Sequence, residues 1–197
     1  MSPRLQLNGL VLLYAYLQRI FVYDKVLATI PAPDPRDDGE SAPLAELPGL
    51  LDRTGAAIAG FDTETGLADA EVGELDDILL AARAAMARRA AGTDAPLRIQ
   101  LAAVAGGRFH SQHLNDGLVY WGDKYDAETA DRYRQRTLAL RDDSREMTGL
   151  VATAAHGGLA QEQVAQVGRW YESVVRATPR IDGDMALISS LLHGIDP

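Results

Sequence analysis

LQLNGLVLLYAYLQRIFVYDKVLATI, residues 5–30, is the most apolar segment of the chain and has the pattern of a helix. On a helical wheel Asn8, Ala15, Gln18 and Arg19 form one narrow polar stripe, and most of the remaining circumference is apolar. A helix apolar nearly all round belongs in the centre of its domain or is shared with a second copy of the chain. Its uninterrupted apolar run is only Leu10–Leu17, whereas a bilayer needs about 20 apolar residues. Asp24 and Lys25 follow where a signal peptide would need a small-residue cleavage site. The expectation is therefore a buried helix of a cytoplasmic protein with no membrane partner. One residue breaks its pattern: Asp24 falls in line with Leu10, Leu13, Leu17 and Ile20.

After this helix, residues 31–48 (PAPDPRDDGESAPLAELP) carry five prolines and the acidic cluster Asp34, Asp37, Asp38 and Glu40. Proline forbids a continuous helix, and the segment reads as an acidic loop or flap. A short helix is expected over Gly49–Ala59. A longer one follows over Asp69–Ala91, where Val72, Leu75, Leu79, Ala82 and Met86 alternate steps of three and four. Asp94 and Pro96 open another helix, expected to end near Ala105. Gly106, Gly107 and the Asn115-Asp116-Gly117 turn signal then suggest an irregular or small hairpin segment near 106–125. A long helix is expected over Asp126–Ala155, one more to Thr178-Pro179, and a last one packing Met185, Ile188, Leu191 and Leu192. The fold class is all-α, a helical bundle of about six or seven helices in a single domain spanning 1–197.

Composition excludes more than it selects. There are 28 acidic against 19 basic side chains, a formal charge of -9, and no cysteine in 197 residues. An acidic chain lacks the concentrated basic surface that nucleic acid or anionic lipid requires. Without cysteine there are no disulfides, thiolate zinc sites, iron–sulfur clusters or thiol nucleophiles. Lys25 and Lys124 are the only lysines, and the preference for arginine and alanine looks like the codon bias of a high-GC genome.

The densest chemical segment is Phe109-His110-Ser111-Gln112-His113-Leu114-Asn115-Asp116, followed by Tyr120, Trp121 and Tyr125. On a helix, His110, His113 and Asp116 share a face and could offer imidazole and carboxylate ligands. On a strand the two histidines diverge, and no metal is assigned. Phe109, Tyr120, Trp121 and Tyr125 supply the apolar walls that a ligand pocket needs, although core filling under an irregular loop is the simpler account of them. His156 and His193 sit at helix C-termini, where the macrodipole favours a cation. Asp24, His110 and His113 are the candidate acid–base groups. Exposure or an arginine partner is the simpler account of Asp24.

Asp142-Asp143-Ser144-Arg145-Glu146 imitates the aspartate-rich magnesium motif of helical isoprenoid enzymes, but Arg141 and Arg145 flank it and no second motif follows. Gly117–Lys124 has the first spacing of a P-loop, with Asp123 where the lysine belongs. No motif specifies a cofactor. Two readings remain. In one the chain binds a small organic molecule, as a binding protein or as an enzyme of specialised metabolism, in a pocket between the N-terminal helix and residues 109–125. In the other it is a non-catalytic, homodimeric interaction or regulatory module that pairs through the N-terminal helix.

Overall fold

The computed structural model describes residues 2–30, 44–91, 96–121, 127–139, 144–177 and 181–196. Among them the chain is all-α, with eight helical segments and no strand. They are α1 (Pro3–Thr29), α2 (Leu47–Ala59), α3 (Asp69–Ala91), α4 (Pro96–Trp121), α5 (Ala127–Ala139), α6 (Ser144–Gly157), α7 (Gln161–Ala177) and α8 (Ile181–Leu192). The stretch read as one long helix is described as two, α5 and α6, with 140–143 outside the described residues. Most of the acidic flap, 31–43, also lies outside them.

The central helix is α1. It starts with Pro3 in its first turn, where a missing N–H costs nothing. It stops at Thr29 because Ile30 precedes Pro31, which pushes Ile30 into extended backbone (φ -93, ψ 116). Helices α2, α3, α4 and α8 all pack on it, so most of its apolar circumference is covered within the chain, with Tyr14, Phe21, Val22 and Tyr23 half-buried. By length and composition α1 could cross a membrane, and 67% of its most apolar window is buried against these neighbours.

Two apolar clusters share this helix. Leu10, Leu13, Leu17 and Ile20 meet Leu47 and Leu50 of α2, Val72, Leu75 and Leu79 of α3, and Ile188 and Leu192 of α8. Val26, Leu27 and Ile30 meet Leu101 and Val104 of α4, Met147 and Leu150 of α6, and Val167 and Val174 of α7. The three-four rhythm of α3 faces the core as expected, with Val72, Leu75, Leu79 and Ala82 buried. So do Met185, Ile188, Leu191 and Leu192 of α8. Helices α3 and α7 start on alanines that cannot cap, and a side chain three residues on reaches back instead. Glu71 Oε2 accepts the Ala68 N–H (2.8 Å), and Gln163 Oε1 accepts that of Ala160 (3.0 Å).

One expectation needs correction. Residues 106–121 are neither irregular nor a hairpin: α4 continues unbroken to Trp121. The glycines that suggested a break are close-approach positions. A Cβ on Gly106 would stand 3.0 Å from the Arg19 carbonyl oxygen of α1, and one on Gly107 would stand 2.7 Å from Val174 Cγ1 of α7. Glycine is there because two helices cross α4 at one level. The propensity cost of about 1 kcal/mol each is offset by that packing. Gly9 does the same for α1 against α8, where a Cβ would come within 2.8 Å of the Leu192 nitrogen.

Candidate functional site

The polar groups of α1 mark where chemistry could lie, because an interior helix carries them only with a partner or at a cost. Gln6 is fully partnered. Its Nε2 donates to the Leu192 carbonyl (3.2 Å) and its Oε1 accepts the Leu67 N–H (3.0 Å), joining α1 to α8 and to the entry of α3. Two residues on, Asn8 is fully buried, and neither its Oδ1 nor its Nδ2 has a hydrogen-bond partner among the described residues. An unpaired buried amide costs about 1–3 kcal/mol and calls for an explanation.

Asp24 is also buried, with 1% of its surface exposed, in a helix that runs on for five more residues. It is thus neither frayed nor solvated. Its Oδ2 accepts the Leu44 N–H at 2.8 Å, which ties the chain back to α1 after residues 31–43. Nearby, Arg98 of α4 is nearly buried and donates to the Leu27 carbonyl (2.5 Å) in the last turn of α1. There a cation answers the free carbonyls of the helix end.

Two contacts set the register of α1 on α4: Arg98 with Leu27, and Gly106 with Arg19. The helices are therefore antiparallel, and α4 runs back along α1 towards Asn8. At about 100° per residue, Asn8 lies within roughly 20° of Arg19 around the axis of α1, on the side facing α4. Val11 and Ala15, on the same side, are buried as well. The polar stripe seen in the sequence is thus largely turned towards α4. Asp24 lies roughly 140° from Arg19, so the structure does not bring it to this seam.

His110 and His113 follow Gly106 at steps of four and three on a continuous helix. Their positions fall within roughly 40° of Gly106 around the axis of α4. The helical condition for His110, His113 and Asp116 to share a face is met by the backbone. The side chains of Phe109, His110, His113, Asp116, Tyr120 and Trp121 lie outside the described residues, as do Tyr125 and the Asp142-Asp143 motif. Among the described residues no cluster of three metal-ligating side chains is found.

The two remaining histidines have structural partners. His156 Nδ1 lies 2.7 Å from the Ala152 carbonyl at the end of α6. His193 Nε2 lies 2.8 Å from Asp76 Oδ2, and Ser189 Oγ donates to the other oxygen of the same carboxylate (3.2 Å). Serine and histidine thus both sit on the aspartate and not on each other, which fastens α8 to α3 and is not a nucleophile–base pair. Arg108 stacks over the Trp170 ring, 4.7 Å from its centroid, and joins α4 to α7. Asn8 and Arg98 received no functional reading from the sequence. Asn8 was visible as an amide inside an apolar helix, whereas nothing in the sequence marks Arg98 among the many arginines.

Comparison with known protein families, curated proteins and solved structures finds no match for this chain.

Proposed function

We propose that this is a small-molecule-binding helical protein whose ligand sits in the seam between α1 and the C-terminal half of α4. One observation carries the reading: the fully buried, unpartnered carboxamide of Asn8, which the helical angle puts on the same side of α1 as Arg19, the residue that meets Gly106 of α4. Natural cores leave few such groups unsatisfied, and each that remains calls for an explanation, among them a catalytic role or a partner from outside the chain. An amide presents donors and an acceptor side by side, and so suits a ligand with the complementary edge. His110 and His113 are the polar groups proposed to hold the ligand or exchange a proton with it. Phe109, Tyr120, Trp121 and Tyr125 are its proposed apolar walls. Asp24 serves the fold in this reading, through Leu44. Acid–base chemistry, if the site turns its ligand over, falls to the histidines.

The test is a thermal-shift screen of the full chain against a metabolite library, with each hit repeated on Asn8→Leu, His110→Ala and Trp121→Ala. The expected result is a ligand that raises the Tm of the parent, loses that effect in the variants, and leaves the ligand-free melting of His110→Ala and Trp121→Ala nearly unchanged. A ligand that stabilises the parent and all three variants equally refutes the location. Loss of stability in the ligand-free His110→Ala and Trp121→Ala proteins would make these residues structural.

A further inference from the structure

Helices α6 and α7 are joined by only Gly158, Leu159 and Ala160, yet each packs chiefly against α4 and not against the other. The gap between them is an open surface groove of about 580 Å³. Its floor is Leu150, which is buried. Beside it, Gly149 stands mid-helix and exposed, and a Cβ there would meet nothing within 4 Å. Neither a turn nor a crossing helix requires this glycine, in contrast to Gly106 and Gly107. Without a side chain at this position the space above Leu150 is unfilled.

The walls carry both signs of charge. On α6, Glu146 is held in place by Gln166 of α7, whose Nε2 donates to the carboxylate at 2.6 Å. Arg169 follows Gln166 by three residues, roughly 4.5 Å along the helix axis. Among the described residues it has no hydrogen bond or ion pair. Glu162 lines the other end of the groove. An anion alone would face two carboxylates and a cation alone would face Arg169, whereas a zwitterion meets both signs.

We propose that the α6–α7 groove binds a free α-amino acid with an apolar side chain. Its carboxylate pairs with Arg169, where the guanidinium fork matches it in two parallel hydrogen bonds. Its ammonium meets Glu146, and its side chain lies over Leu150 in the space that Gly149 leaves. The site is separate from the α1–α4 seam and does not depend on the reading given to it. Because its charges are exposed to water and salt, binding is weak, with a dissociation constant in the millimolar range.

The experiment is a titration of the ¹⁵N-labelled full chain with L-leucine, followed by NMR. 4-Methylpentanoate and 3-methylbutylamine, which are leucine without its ammonium or without its carboxylate, are the controls. Leucine should give saturable shifts at Gly149, Gln166 and Arg169, and each analogue should bind about fivefold weaker or worse. Arg169→Gln and Glu146→Gln should each weaken leucine binding by about threefold or more. Gly149→Leu should abolish binding while leaving Tm equal or higher, because it fills the groove with a better helix former. The proposal fails if leucine gives no saturable shift, if either analogue binds as well as leucine, or if Gly149→Leu still binds.

Discussion

Gln6 and Asn8 form a natural experiment: two carboxamides, two residues apart on one buried helix, one fully hydrogen-bonded and one without a partner among the described residues. Replacing each by leucine, whose side chain has a similar branched end, should move stability in opposite directions. In Gln6→Leu the Leu67 N–H and the Leu192 carbonyl both lose their buried partner. At about 1–3 kcal/mol for each stranded group, the loss should total about 2–6 kcal/mol. A chain of this size shifts its Tm by roughly 2–4 °C per kcal/mol, so a fall of at least roughly 4 °C is expected. Asn8→Leu strands nothing and removes a desolvated amide, which should raise stability by about 1 kcal/mol or more, a gain of roughly 2–4 °C. Urea unfolding followed by circular dichroism, on ligand-free protein, measures both. If Asn8→Leu costs as much as Gln6→Leu, Asn8 is hydrogen-bonded in the folded chain, and the argument for a ligand in the seam fails with it.

Two further outcomes follow from the geometry. Gly107→Ala should destabilise by about 1–3 kcal/mol through overpacking, because its new methyl would stand 2.7 Å from Val174 Cγ1. Combining it with Val174→Ala should recover part of that loss, and a double-mutant cycle that comes out additive would show that the two helices do not meet there. Asp62 should titrate below the usual aspartate range, because the backbone N–H groups of Glu64 and Thr65 hydrogen-bond its carboxylate. A folded-state pKa lowered in this way gives stability that is present above the unfolded value near about 4 and is lost as pH falls through the folded value. NMR titration of the Asp62 carboxyl carbon checks this, and a midpoint at or above the ordinary value would contradict it.

What the sequence made legible follows from what periodicity can encode. The rhythm of Val72, Leu75, Leu79 and Ala82 is a property of α3 alone, and so is that of Met185, Ile188, Leu191 and Leu192 in α8, and both faces are buried as read. Gly106 and Gly107 were misleading because a glycine that breaks a helix and one that admits a neighbour look the same in one dimension. The difference lies in Arg19 and Val174, far away along the chain. Asp24 was legible as an anomaly but not as a contact. Its partner is the backbone N–H of Leu44, a group that almost every residue possesses and no sequence pattern announces. The histidine pair was tied to a helix-or-strand choice at 106–121, and the helix decides only the backbone half of it.

The polar residues of α1 point to a division of labour. Apolar contacts fill space but tolerate sliding, since one leucine replaces another at low cost. A hydrogen bond to a single backbone group does not slide. Gln6 fixes α8 and the entry of α3 against the start of α1, Asp24 fixes the return at Leu44, and Arg98 fixes the start of α4 against the end of α1. Each of these buried groups is matched to one place in the chain, a use of core polarity that sets register more than it adds stability. Asn8 has no such place among the described residues, although it lies between Gln6 and the α4-facing side of the same helix. In the proposed reading that place is taken by a ligand, and this is why the ligand is sought beside Asn8 and not beside the more conspicuous Asp24.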